Sequence, residues 1–206
     1  MSSEGWSTMN ERKTKIIDFL DYRRRKSGRI ADGVGLCAIF SRQGDWAFDY
    51  ALTLARHHET RLNIFHFLES PYRLRRDVVF SDAARSRTER VTPDLIAIKD
   101  KEMRQVFDDR LGDYVDVGFR LCEGNSEWEL KKCFRRGQYE VLVIGYNEIG
   151  ADFGGTTTIE RFAHEFKGPV VLVGPDTRNS FHINRHAEKR LEVLLLPEGK
   201  WHRIEP

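Results

Sequence analysis

The stretch Val141-Leu-Val-Ile-Gly145-Tyr-Asn-Glu-Ile-Gly150-Ala-Asp-Phe-Gly154-Gly155-Thr156-Thr157-Thr158 runs from a strand-length apolar segment straight into a loop of glycines and threonines. Beyond it, Ile159, Phe162, Ala163 and Phe166 fall at i, i+3, i+4 and i+7, the spacing of one buried helix face. Thr157 and Glu160 have the spacing of a capping box at the start of that helix, and Gly168-Pro169 stops it. Val170–Val173 then reads as another buried strand. Strand, glycine loop, helix, strand is the unit of a parallel α/β sheet.

The same alternation extends toward the N-terminus. Val34–Phe40 is a first strand, after which Phe48, Ala51, Leu52 and Ala55 repeat the helical face up to His57. Leu62–Leu68 is a second strand, closed by Pro71. Thr92 as N-cap and Pro93 at the first helical position predict a helix to Leu111 that buries Ile96, Met103, Val106 and Phe107. Val115–Leu121 is a third strand. Ser126 and Glu129 have capping-box spacing for a helix that turns Leu130, Cys133 and Phe134 inward and ends at Gly137. Glu140–Gly145 is the fourth strand, and Val170–Val173 the fifth.

Around this core lie segments of other character. Residues 1–30 form an arm, with Ile16, Ile17, Phe19 and Leu20 as the narrow stripe of an amphipathic helix ahead of Arg23, Arg24, Arg25 and Lys26. Tyr72–Val91 carries Arg73, Arg75, Arg76, Arg85, Arg87 and Arg90 with little apolar periodicity, so it reads as a long loop. A polar extension, 177–206, contains the apolar run 190–197, which suits an edge strand. The α/β domain itself spans 31–176.

Composition narrows the function. The 206 residues carry 34 Lys and Arg against 32 Asp and Glu, a formal charge of +2, so no global field favours nucleic acid. No window approaches the ~18 apolar residues of a membrane helix. The N-terminal stretch has no apolar run behind a basic end, and a cytoplasmic protein is expected. Cys37, Cys122 and Cys133 lack metal-ligand spacing and read as reduced core thiols. His57-His58 sits at a helix end and reads as structural. No Ser/His/Asp or Cys/His set is identifiable from spacing, so no catalytic residue is assigned.

The Gly/Thr loop is suited to holding phosphate, because glycines let backbone approach the anion and the hydroxyls and free N–H groups donate to it. It is neither the GxxxxGK pattern nor GxGxxG, and it holds no lysine. The same residues also serve simply to turn the chain and cap a helix.

In order and spacing the series resembles the universal stress protein family over about residues 34–175. Three passages carry this: GLCAIFSRQGDWAFDYALTLARHHETRLNIFHFLESP, where His66 falls on the family's histidine; VDVGFRLCEGNSEWELKKCFRRGQYEVLVIGYNE; and TTTIERFAHEFKGPVVLVGP. The resemblance implies an open, doubly wound five-stranded parallel sheet of order 3-2-1-4-5 with helices on both faces. It also implies a homodimer through the last strand, and ATP or AMP held at the switch point between strands one and four. A magnesium ion would be present only as the nucleotide's companion. Matching positions put Ile39, Phe40, Ser41 and Arg42 on the nucleoside side and Gly145, Gly150, Gly155, Thr156 and Thr157 on the phosphates. The chain departs from the family pattern where Phe40 replaces its acidic residue and Glu148 its second loop glycine. The expectation is a regulatory or sensing domain without appreciable turnover. A module that binds a protein partner and no nucleotide, and an adenine-nucleotide-dependent enzyme, are the alternatives.

Overall fold

The computed structural model describes residues 28–68, 93–123, 125–153 and 157–205. The N-terminal arm through position 27, the arginine-rich loop, Thr92, Gly155 and Thr156 lie outside the described residues.

Period-two burial builds the centre. In β1 (Val34–Cys37), β4 (Val141–Gly145) and β7 (Val170–Val173) every residue is buried. Val34, Leu36, Val141, Val143, Val171 and Val173 enter one core layer, while Cys37, Leu142, Ile144, Val170 and Leu172 enter the other. Alternate side chains of a strand point to opposite faces, so a strand apolar at every position needs a cover on both. Helices α1 (Arg42–His58) and α2 (Pro93–Leu111) supply one layer with Phe48, Ala51, Leu54, Ala55, Met103 and Phe107. Helices α3 (Ser126–Arg135) and α4 (Ile159–Glu165) supply the other with Leu130, Cys133, Ile159, Phe162 and Ala163.

The main sheet has seven strands in the order β3-β2-β1-β4-β7-β8-β9, with β2 at Leu62–Leu68, β3 at Val117–Glu123, β8 at Phe181–Ile183 and β9 at Trp201–Arg203. The five strands through β7 are parallel, in the order that the family resemblance implies. A two-stranded antiparallel pair, β5 (Asp152–Phe153) and β6 (Thr157–Thr158), flanks the Gly/Thr loop.

Several expectations need correction. The run 190–197 is not an edge strand. It forms the turn of helix α6 (Leu191–Leu194), following α5 (Arg185–Glu188), because Val193 and Leu194 are buried in the layer beneath α1. Tyr50 Oη donates to Leu194 O at 2.5 Å, and His58 Nε2 lies 2.7 Å from Val193 O. The extension widens the sheet elsewhere: β8 pairs antiparallel with β7, and β9 pairs with β8. The edge of Val170–Val173 at which the resemblance places a second copy is therefore paired within the same chain.

Two helix starts also shift. Asn125, not Ser126, caps α3 by accepting from Trp128 N at 3.2 Å, leaving Ser126 buried as the first helical residue. Thr158, not Thr157, caps α4 by accepting from Arg161 N, because Thr157 is held in β6 opposite Phe153. In α2, Met103, Phe107 and Leu111 are buried but Val106 is exposed, since it lies about 100° around the helix from Phe107. The end of α3 fits its reading: Gly137, at φ +66°, donates to Phe134 O while Gln138 N reaches Cys133 O, the paired bonds of a Schellman turn.

Candidate functional site

In an open α/β sheet, ligands bind beyond the carboxyl ends of the strands where the strand order reverses, here between β1 and β4. A pocket of about 270 Å³ opens at the end of β1 and β2. Ala38, Ile39 and Phe40 form one side, His66 and Phe67 the second, and Ser126 with Phe153 the third. The parallel register Cys37↔Phe65 is what brings these two strand ends side by side.

Phe40 does not fill this space. Its ring is 56 % exposed, lies 4.8 Å from the His66 ring at a tilt of 57°, and stacks at 6.3 Å on Phe107 of α2. It leans onto the α2 side and becomes a wall. His66 Nδ1 is buried without a hydrogen-bond partner. Burial, with help from Lys99, holds its imidazole below the usual histidine range, against an opposing backbone bond to Ala38 and the Glu102 carboxylate. The ring is neutral at physiological pH. Desolvation pushes the Cys37 thiol up to about 12, so it is a protonated wall and not a nucleophile.

Of the residues picked from the sequence, Ile39 and Phe40 line the pocket, while Ser41, Arg42, Gly145, Gly150 and Thr157 do not. Ser41 is the N-cap of α1, its Oγ accepting from Gly44 N at 3.1 Å. The Arg42 guanidinium lies 5.0 Å over the Trp46 ring, on the outside of the helix. Gly145 is a glycine because the start of α1 presses on it: a Cβ there would overlap Gln43 O and Gly44 N. Gly150 N donates at 3.0 Å to Glu160 Oε1, the carboxylate freed when Thr158 took the cap. A carboxylate thus occupies one of the loop amides assigned to phosphate. Thr157 Oγ1 is buried and unpartnered.

Sequence reading missed Phe67, Ser126 and Phe153 as pocket residues and placed His66 on the family's histidine without assigning it to the site. Their positions follow from strand neighbours, which periodicity does not specify. Among the described residues, no group of three or more His, Cys, Asp or Glu side chains is placed to hold a metal ion. Nor, among them, is any helix long and apolar enough to cross a membrane.

No protein-family model matches the chain, and no curated protein matches it. Solved structures do. The universal stress protein UspA from Lactobacillus plantarum is 12 % identical, with a TM-score of 0.48, over 70 % of this chain and 99 % of that one. A universal stress protein family member from Burkholderia pseudomallei is 21 % identical, with a TM-score of 0.44, over 68 % and 95 %. A universal stress protein in complex with cAMP is 17 % identical, with a TM-score of 0.45, over 70 % and 98 %. By its own strand order, 3-2-1-4 continued by Val170–Val173 and flanked by helices on both faces, this chain has an open, doubly wound α/β fold with a central parallel sheet.

Proposed function

We propose that the chain is a regulatory or sensing module that binds an adenine nucleoside or its monophosphate at the carboxyl ends of β1 and β2, beside the switch point, and does not turn it over. The observation that carries this reading is the ring-lined pocket of Phe40, His66, Phe67 and Phe153 at the ends of β1 and β2. A flat aromatic base gains from stacking on such walls, and His66 and Ser126 are the polar residues of the described lining that suit its edge.

The phosphate side favours a short ligand. Gly44 N is capped by Ser41 and Gly150 N by Glu160, so donors suited to a triphosphate are already spent. Glu160 and Glu148 add negative charge in the loop.

Calorimetric titration of the full chain with adenosine, AMP, cAMP and ATP, with and without magnesium, tests this. Saturable binding of adenosine or AMP is expected, with ATP no tighter. Phe40→Ala and His66→Ala each weaken it at least about tenfold, the scale of one lost base–aromatic stack. Absence of saturable heat from every ligand leaves the protein-interaction reading. If two copies pair through the sheet's last strand, that strand is Trp201–Arg203, since β7 is already paired on both sides.

A further inference from the structure

A second cavity, of about 490 Å³, lies over β2 and β3 on the face opposite α1 and α2. Its chemistry differs from that of the switch-point pocket. Arg61 and Arg120 both line it, with Asn63, Gln138 and Gly118 between them and Phe65 as an apolar neighbour. Register explains the convergence: Asn63 pairs with Gly118 and Phe65 with Arg120, so side chains at 61, 63 and 65 share a face with those at 118 and 120.

Among the described residues no carboxylate lies within ion-pair distance of either guanidinium group. Arg120 is half-buried, in a strand whose neighbouring Cys122 is core, yet its bond is to a neutral acceptor, Gln138 Oε1, at 2.7 Å. The acid on the adjoining helix, Glu129, is bridged to Lys132 at 3.0 Å. Asp32 is the one carboxylate in the described lining. A partly desolvated arginine without an acid is uncommon, because its charge is costly to remove from water unless something compensates it.

The other groups hold this arrangement open. Asn63 Nδ2 donates to Gln138 O at 2.5 Å, tying the turn after α3 to the sheet. A Cβ at Gly118 would stand 2.6 Å from Asn63 Oδ1 and 3.0 Å from Arg61 Nε, so the missing side chain is what gives the Arg61 guanidinium its place.

We propose that this face binds a small phosphoryl-bearing molecule, its oxygens bridged by the forks of Arg61 and Arg120. The planar, weakly hydrated guanidinium suits this better than an ammonium, since it presents paired donors to a tetrahedral oxyanion. The site is independent of the switch-point pocket and does not rest on it.

The test titrates the full chain with inorganic phosphate, pyrophosphate and phenyl phosphate at constant ionic strength, following arginine Nε–H resonances and the thermal midpoint. Saturable shifts of the Arg61 and Arg120 signals are expected, with a rise in midpoint. Arg61→Gln, at an exposed position, and Arg120→Met should each weaken binding at least about tenfold, with Arg120→Lys intermediate. Failure to saturate, or an affinity unchanged by Arg61→Gln or by Arg120→Met, overturns the proposal. Arg61→Gln decides alone if Arg120→Met does not fold.

Discussion

Asn184 is fully buried, and all four of its hydrogen-bonding positions go to backbone. Nδ2 donates to Ala163 O and Gly168 O at 2.9 Å each, while Oδ1 accepts from Val170 N at 3.2 Å and Ala187 N at 3.0 Å. One side chain joins the end of α4, the start of β7 and the cap of α5. Asn184→Ala strands two carbonyls and two amides without water, so we expect a loss of about 2–4 kcal/mol. The measurement is a lowered urea midpoint at unchanged m-value, and an unaltered midpoint contradicts it. In sequence this residue sits in a polar extension with nothing to mark it, because an asparagine's importance lies in partners it meets only after folding. Phe40 is the converse. Its substitution for an acidic residue was visible at once, but whether the ring blocked the crevice or walled it depended on Phe107 and His66 being there to receive it.

Among the elements, β8 carries a half-buried histidine that packs against its neighbours. His182 and His202 are register partners with ring centroids 5.4 Å apart, and Tyr146 packs edge-on against His182 at 5.4 Å. Burial first, and then His202, lowers the His182 pKa, with Glu160 and Asp176 partly opposing. A histidine depressed in the fold takes up protons on unfolding, so its contribution is intact above the unfolded value of about 6.5 and is lost as pH falls below it. Hydrogen exchange should show protection of the Phe181–Ile183 and Trp201–Arg203 amides falling between pH 7.5 and 5.5 more than that of β1 or β4. His182→Gln should flatten the difference, and equal loss across all strands would refute it. Helices α1 to α4 were each legible from an apolar face, and α3 and α4 also from a stop signal, since these act within a turn or two of chain. Cap identity was not, because Asn125 beside Ser126 and Thr157 beside Thr158 are near-equal acceptors and tertiary packing chooses between them.

For the whole molecule, the C-terminal extension is part of the core. Phe181, Ile183, Ala187, Val193 and Leu194 are buried in the same layer as α1, and β8 covers the edge of β7. Full burial of one large aliphatic or aromatic side chain is worth about 1.5–3 kcal/mol, so removing residues 177–206 takes away a large share of a typical ~5–15 kcal/mol stability and uncovers a strand edge. The truncated chain should melt at least about 10 °C lower, and elute as aggregate in size-exclusion chromatography, whereas an unchanged melting temperature would show the extension to be an appendage. By itself the sequence determined the alternation of strands and helices, the parallel class of the central sheet and the apolar faces, because each is written in spacings of two to four residues. Tertiary structure decided what covers β7, which loop amides are spent on Glu160 and Ser41, and which side chains from four distant segments line the pocket. Periodicity shows that a residue is turned toward a neighbour, but the neighbour's identity depends on strand order and register, and those are settled only when the whole sheet assembles.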